Sequence, residues 1–114
     1  SGIVLNHADG LLKLNGTGTL GAAQITVASA TGKGVQVVKS STISDLKVLA
    51  DTKLNIASEK TLSGSTEVAA NKTLSLSGTG TFGSALNLEG TLEAGANLTV
   101  SGTINVADNA TVSI

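Results

Sequence analysis

The chain lacks several residue types, and each absence removes a class of protein. Its 114 residues include no Cys, Pro, Met, Trp or Tyr, and Phe82 is the single aromatic residue. Without Cys the chain has neither a disulfide framework nor a thiolate metal site. The absence of Pro fits interior β-strands, because Pro would remove a hydrogen bond from the ladder. The apolar residues are mainly small and aliphatic, which suits narrow stacked layers.

Charge is also scarce. Charged residues make up 13% of the chain, the net charge is −1, and all seven basic residues are Lys. Nucleic-acid binding is not expected, because it needs basic patches and aromatic stacking platforms. Membrane insertion is not expected either, because no apolar run approaches the roughly 20 residues of a spanning helix. Abundant Gly, Ser, Thr and Asn with few charges favour an extracellular or cell-surface protein.

The C-terminal stretch contains an internal repeat. In "GTLEAGANLTVSGTINVADNATVSI", residues 90–114, the same or similar residues return after twelve positions, as with Leu92 and Ile104. Residues 11–23 are also similar in sequence to residues 73–85, at a longer spacing. We therefore interpret 1–114 as one β-rich repeat domain, irregular over about 30–60 and most regular over 66–114.

Each repeat divides into six-residue units: GTLEAG, ANLTVS, GTINVA and DNATVS. Two turn-forming residues precede four residues whose alternate positions are apolar, as in a strand with one buried face. Such short strands and corners fit a coiled chain. Two units per coil give a flattened solenoid, and three give a triangular β-helix. Equivalent side chains then stack on successive turns about 4.8 Å apart.

The predicted fold class is all-β, a parallel β-helix or β-solenoid with short rungs. The alternative is an immunoglobulin-like β-sandwich of pilin type, in which residues 1–14 form an arm that completes a neighbour's sheet. One segment, residues 42–54, also shows helical spacing at Ile43, Leu46, Leu49 and Ala50. We favour an irregular strand there over a short helix.

Residues 72–114, "KTLSLSGTGTFGSALNLEGTLEAGANLTVSGTINVADNATVSI", together with 11–23, suggest a family resemblance. They resemble the repetitive parallel β-helix regions of secreted bacterial surface proteins, such as autotransporter passengers and large adhesins. A weaker similarity links them to the short-rung helices of bactofilin-type filament proteins. The resemblance implies a rod-like surface or structural element. It transfers no functional residue to this chain.

Two glycine-rich stretches match the spacing G-x-G-x-x-G. A dinucleotide site would need each stretch to follow a strand and open a helix. The residues that follow, "AAQITVAS" and "SALNLEGT", instead have strand character. We interpret these glycines as bulges or corners and expect no cofactor: Gly16, Gly18 and Gly21, and Gly78, Gly80 and Gly83.

Threonine and asparagine provide the candidate sites. A flat outward array of threonines would suit an ice-binding or glycan-binding face, and Asn-x-Thr is the acceptor pattern for N-glycosylation. Stacked, β-branched Thr also has a purely structural use in sheets. The candidate face residues are Thr17, Thr19, Thr79, Thr81, Thr91 and Thr103, and the candidate acceptors are Asn15, Asn71, Asn97 and Asn109.

No catalytic or metal-binding cluster is evident. His7 is the single histidine, and the eight acidic residues are spread thinly along the sequence. A zinc site needs further His or Cys ligands, and acid–base catalysis needs converging carboxylates. We therefore expect a protein that is not an enzyme and has no metal site.

The sequence predicts a structural, extracellular protein: a self-assembling fibre subunit, or a segment of an adhesin or surface-layer stalk. Its partners would be copies of itself or flanking repeats, and no glycan or host receptor can be named. The last residues, "NATVSI", stop within the repeat pattern. We therefore expect the coil to continue in a longer protein or to be covered by neighbouring copies. The alternative is a soluble binding module with a flat Thr-rich face for ice or glycan.

Overall fold

The computed structural model describes residues 2–21, 23–95 and 97–114, and its regular elements are short β-strands. Gly, Asn and Asp at the corners keep the strands short, and alternating Leu, Ile and Val residues give each strand one apolar face. In chain order the strands are β1 Gly2–Leu5, β2 Leu11–Leu14, β3 Gln24–Val27, β4 Thr31–Val37, β5 Ser41–Val48, β6 Thr52–Ile56, β7 Thr61–Val68, β8 Thr73–Gly78, β9 Thr81–Phe82, β10 Ala85–Leu88, β11 Thr91–Ala94, β12 Thr99–Val100, β13 Ile104–Val106 and β14 Thr111–Ser113.

The strands pair in parallel with strands of the preceding and following coils. One path runs β1-β3-β5-β7-β10-β13, and the other runs β2-β4-β6-β8-β11-β14. The result is a parallel β-solenoid of about six turns, which confirms the predicted fold class. The sandwich alternative is wrong, because sandwich sheets are antiparallel. Residues 1–14 contain β1 and β2, which pair with β3 and β4 of the same chain.

A third face develops along the solenoid. Strand β7 pairs with β9 through Thr61 and Leu62, and with β10 through Ser65–Val68. Between these two parts lies Gly64 with φ of 111°. The strand therefore turns a corner there and contributes to two faces. We call the path through β1 and β13 the first face, the path through β2 and β14 the second face, and the stack of residues 41–43, residues 61–62, β9 and β12 the third face.

The coil length resolves the choice between two and three units per turn. Leu92 lies beside Leu74 and Val112, which are 18 and 20 positions away. Near the N-terminus the offset between paired residues is 22 or 23. Each regular coil therefore holds three six-residue units. Residues twelve apart, such as Leu92 and Ile104, occupy similar positions on different faces and do not stack on one another.

Residues 42–54 form strands rather than a helix. They contribute to β5 and β6. Ile43 and Leu46 are both buried in the core, whereas Leu49 is 48% exposed. The spacing of three arises because the chain turns a corner between them, where the register against β7 shifts. Among the described residues, no helix is long and apolar enough to cross a membrane.

The interior is made of rows of stacked aliphatic side chains. On the first face one row runs through Ile3, Ile25, Leu46, Thr66, Leu86 and Ile104. Phe82, the one aromatic residue, is fully buried on the third face. Thr66 is the polar member of its row, and its hydroxyl is 2.9 Å from the hydroxyl of buried Ser84. This pairing removes the cost of burying either hydroxyl alone.

Several corners are turns with one residue in the left-handed region. Lys60, Lys72 and Ala110 each donate a backbone hydrogen bond to the carbonyl three residues earlier. The residue before each donor has φ near 65°: Glu59, Asn71 and Asn109. Asn tolerates this conformation better than most residues with a side chain. Local sequence therefore determines where these corners form.

Candidate functional site

The structure distributes the six predicted ligand-face threonines over several surfaces. Thr17 and Thr19 lie in the exposed segment after β2, and Thr79 lies in the bend after β8. Thr81 begins β9 on the third face, and Thr91 begins β11 on the second face. Thr103 precedes β13. The six residues therefore do not share one flat surface.

Two regular threonine rows do exist, and sequence reasoning missed most of their members. For the four missed members the signal is a Thr two positions after a left-handed residue, because the corner ends there and the next strand begins: Thr61, Thr73, Thr99 and Thr111. One row is on the third face and the other is on the second face: Thr61, Thr81 and Thr99, and Thr73, Thr91 and Thr111.

These rows are anchored by hydrogen bonds to the coil beneath them. The Thr61 backbone N–H donates to the Ser40 hydroxyl at 3.0 Å. The Thr73 N–H donates to the Asp51 carboxylate at 3.0 Å. Side chains at the corners of one coil thus hold the first residue of a strand in the next coil. The rows have this structural use whether or not they also bind a ligand.

The four candidate acceptor asparagines are all exposed. Asn15 follows β2, and the other three occupy separate corners. Asn71, Asn97 and Asn109 have φ of 64°, 70° and 66°. A turn followed by a strand is therefore sufficient to account for Asn-x-Thr at these three positions. Glycosylation of any of the four stays a prediction.

Four of the six G-x-G-x-x-G glycines lie at a bend, a turn or a strand end: Gly16 and Gly80 in bends, Gly21 in a turn and Gly78 at the end of β8. Gly78 ends β8 with φ of 93°, and Gly21 has φ of 62°. A Cβ at Gly80 would overlap the carbonyl oxygen of Ala57 and the side chain of Ile56. Close packing of one coil on the next therefore requires Gly at position 80. Neither stretch opens a helix in the part of the chain that the structure describes.

Polar side chains on the outer faces bond to equivalent positions of adjacent coils. The amide of Gln24 donates to the Asp45 carboxylate at 2.7 Å, and Asn105 donates to Asn87 at 3.1 Å. In contrast, His7 bonds within its own turn: the backbone N–H of Asp9 donates to His7 Nδ1 at 3.1 Å, and the Gly10 N–H donates to the His7 carbonyl at 3.0 Å. No group of three metal-ligating side chains occurs among residues 2–21, 23–95 and 97–114.

A cavity of about 570 Å³ lies beside the first coil. In that coil the segment after β2 takes the place that a third-face strand has in later coils. The half-buried side chains of Leu12, Leu14 and Leu20 line the cavity, and Lys39 donates from Nζ to the Gly16 carbonyl at 2.6 Å. The described residues of the lining include Lys13 and Lys39 and no acidic side chain.

The candidate functional site is the C-terminal end of the solenoid. We define it as β12, β13 and β14, each of which pairs on one side with an earlier strand. Val106 stacks on Leu88, yet Val106 is 52% exposed and Leu88 is 1% exposed. Ile114 is 79% exposed. In the part of the chain that the structure describes, these positions are therefore covered by a coil on one side only.

The chain matches no family model, and comparisons with curated proteins and with solved structures give no significant match.

Proposed function

We propose that the chain is a structural, non-enzymatic element that assembles by stacking coil on coil. In this proposal it forms an extracellular or cell-surface fibre, or a segment of an adhesin-type or surface-layer stalk. The parallel stacking of successive coils, whose strands lie in continuous ladders, is the observation that carries the proposal. The partners of the chain are copies of itself or flanking repeats with the same coil.

The energetic argument rests on apolar area and backbone pairing. Removing apolar surface from water contributes about 25 cal/mol per Å². Val106 and Ile114 therefore favour contact with another apolar surface. An edge strand also offers unpaired N–H and C=O groups, which another strand can satisfy. A further coil satisfies both requirements at once.

The first experiment measures the mass of the purified chain in solution and images it by negative-stain electron microscopy. We expect oligomers or filaments whose population rises with protein concentration. Monomers of about 11 kDa at every concentration would contradict a self-assembling fibre subunit. The extracellular location has its support in composition alone, and fractionation of the producing cells tests it.

A pair of neighbouring substitutions tests whether assembly uses the inward-facing side chains. Val106→Asp places a charge at an inward position of β13, whereas Asn105→Asp places the same charge on its outer side. We expect V106D to suppress assembly and N105D to retain it, because only the first buries a charge in the contact. Equal loss in both variants would contradict assembly through the coil interior.

The threonine rows support a second candidate function, the binding of ice or glycan. Thr61, Thr81 and Thr99 repeat on successive coils, which gives one regularly spaced row of hydroxyl groups. An ice-growth assay tests this function directly. Unaltered crystal shape at millimolar protein would rule out ice binding, and a glycan array addresses the other ligand class.

A further inference from the structure

The segment after β2 has almost the same sequence as a segment that forms a strand in a later coil. Residues 16–21, "GTGTLG", differ from residues 78–83, "GTGTFG", only in having Leu20 in place of Phe82. In the later coil, Thr81 and Phe82 form β9, and the Phe82 side chain is fully buried. In the first coil, residues 16–21 consist of bends, a turn and irregular chain, and the Leu20 side chain is half-buried. Nearly identical sequences therefore have two conformations in one chain.

The two segments differ in backbone conformation at the glycine after the apolar residue. The Gly83 N–H donates to the Leu62 carbonyl at 2.7 Å, as part of the third-face ladder. Gly21 instead has φ of 62° and lies in a turn, where the Ala23 N–H donates to the Leu20 carbonyl at 3.3 Å. Glycine adopts positive and negative φ about equally readily. Gly21 is therefore compatible with the turn and with a strand.

A strand at residues 19–21 would continue the existing register between the first two coils. In the β3–β5 pair, Gln24 lies beside Asp45, an offset of 21 positions. The same offset places Leu20 beside Ser41. No register shift is therefore needed between such a strand and β3.

The third face has an interior row that Leu20 can extend. Phe82 lies beside Leu62, and Leu62 lies beside Ser41. Leu20 beside Ser41 would be the member of this row in the first coil. The Leu20 carbonyl would then accept a hydrogen bond from the Thr42 N–H, as the Leu62 carbonyl accepts one from the following coil. The strand would therefore gain both a ladder bond and burial of Leu20.

We propose that residues 16–21 form a flap with two conformations. The open conformation is that of the structure, and in the closed conformation residues 19–21 pair in parallel with residues 40–42. The cavity of about 570 Å³ is lined by the flap on one side and by Ser41 and Thr42 on another. Closing brings the flap onto Ser41, so the flap controls access to this cavity. The inference concerns two coils inside the chain and is independent of the proposed assembly.

Opposing interactions set the balance between the two conformations. In the open flap, Lys39 Nζ donates to the Gly16 carbonyl at 2.6 Å, and a hydrogen bond from a charged donor is stronger than one from a neutral donor. In the closed flap, burial of Leu20 and the additional ladder bond are favourable. Leu has less apolar surface than Phe, so burial favours the strand less at Leu20 than at Phe82. The one difference in sequence therefore shifts the balance toward the open flap.

Two single substitutions should move the flap toward the closed conformation. Leu20→Phe makes residues 16–21 identical to residues 78–83 and adds apolar area. Gly21→Ala destabilises the open turn, because Ala tolerates φ of 62° poorly, whereas a strand tolerates Ala. Amide hydrogen exchange compares both variants with the unaltered chain. We expect exchange at Thr42 to slow by about tenfold or more in each, because its N–H gains an acceptor in the closed flap.

Leu12→Phe is the matched control. It adds the same group to the lining of the cavity from β2, outside the flap. Exchange at Thr42 should stay within about twofold of that in the unaltered chain. The amide of Val48, in the β5–β7 ladder, reports whether each variant keeps its fold.

The unaltered chain supplies a measurement that needs no substitution. NMR relaxation dispersion at residues 19–21 should detect exchange between two conformations on the microsecond-to-millisecond timescale.

Three results would overturn the inference. Unchanged or faster exchange at Thr42 in either L20F or G21A, with Val48 still protected, would show that the strand does not form. Equal slowing in L12F would show that filling the cavity, rather than closing the flap, protects the amide. Where a variant loses its fold, the absence of dispersion at residues 19–21 of the unaltered chain would show that the flap has a single conformation.

Discussion

The middle coils have an irregular sequence and a fully buried interior, whereas the final coil has a regular sequence and a half-buried interior. Residues 31–56 follow the repeat poorly, yet their interior side chains Val35, Val37, Leu46 and Leu54 are fully buried. Residues 99–113 follow it closely, yet Ile104 and Val112 are only half-buried. Burial thus depends on having a coil on both sides. A regular repeat places an apolar side chain at each inward position, but only a neighbouring coil buries that side chain.

The middle coils also show how the solenoid accommodates irregular sequence. The register shifts between Thr31 and Val35 in the β4–β6 pair, and again between Ile43 and Leu46 in the β5–β7 pair. The first shift places two extra residues in β4 and the second places one extra residue in β5. Such bulges bend the strand. The interior rows nevertheless continue on both sides of each shift. The core therefore requires apolar residues at inward positions and does not require a fixed repeat length.

The substitution with the largest expected effect on the free energy of unfolding lies at the corner of β7. A Cβ at Gly64 would overlap the carbonyl oxygen of Ile43, and φ is 111°. Backbone atoms cannot move aside as a side-chain tip can. We expect Gly64→Ala to lower the free energy of unfolding by about 4 kcal/mol or to prevent folding. Urea denaturation measures this change.

Gly18→Ala is the matched control, because a Cβ there meets nothing within 4 Å. Its expected effect is within about 0.5 kcal/mol. Equal stability of both variants would show that the coils are not packed as closely at Gly64 as the structure indicates.

The second prediction compares two members of one interior row. Leu46→Ala removes a fully buried side chain between two coils and should cost about 3 kcal/mol. Ile104→Ala truncates a half-buried side chain in the final coil and should cost about 1 kcal/mol in the monomer. Thermal or urea unfolding at low protein concentration measures both. Similar losses of stability in the two variants would contradict the view that side chains of the final coil are less buried.

The third prediction concerns the left-handed corners. Asn71→Ala should cost about 1 kcal/mol, because Ala tolerates positive φ poorly. Asn71→Gly should be nearly neutral, since Gly adopts φ of 64° without strain. Asn109→Ala should affect global unfolding less, because the final coil can open before the rest. Native-state hydrogen exchange would separate local opening from global unfolding.

The smallest expected effect is the coupling free energy between polar side chains on the outer surface. Asn55 donates to Ser77 at 3.0 Å between middle strands, and Asn105 donates to Asn87 at 3.1 Å at the end. Double-mutant cycles should give a coupling free energy of about 0.5 kcal/mol for the first pair. The second pair should give less. A larger coupling at the end would indicate that the outer ladder, rather than the interior, holds the final coil.

Much of the fold could be predicted from the sequence, and the candidate site only in part. Alternation at Leu86 and Leu88 predicts the inward face of β10. The positions of the threonine rows could not be predicted. Thr73 and Thr91 are 18 residues apart, whereas the visible repeat is twelve. The stacking period depends on how many corners complete one coil, and no single unit contains that information.

The sequence by itself determined the local features of this protein. Glycine and asparagine at intervals established the corners, apolar alternation established which side chains point inward, and the lack of bulky aromatics established a thin interior. Tertiary structure alone decided the three faces, the 18-residue offset and the exposure of Val106. These depend on contacts between residues far apart in sequence. Hydrogen bonding and burial in one coil are completed only by the next coil.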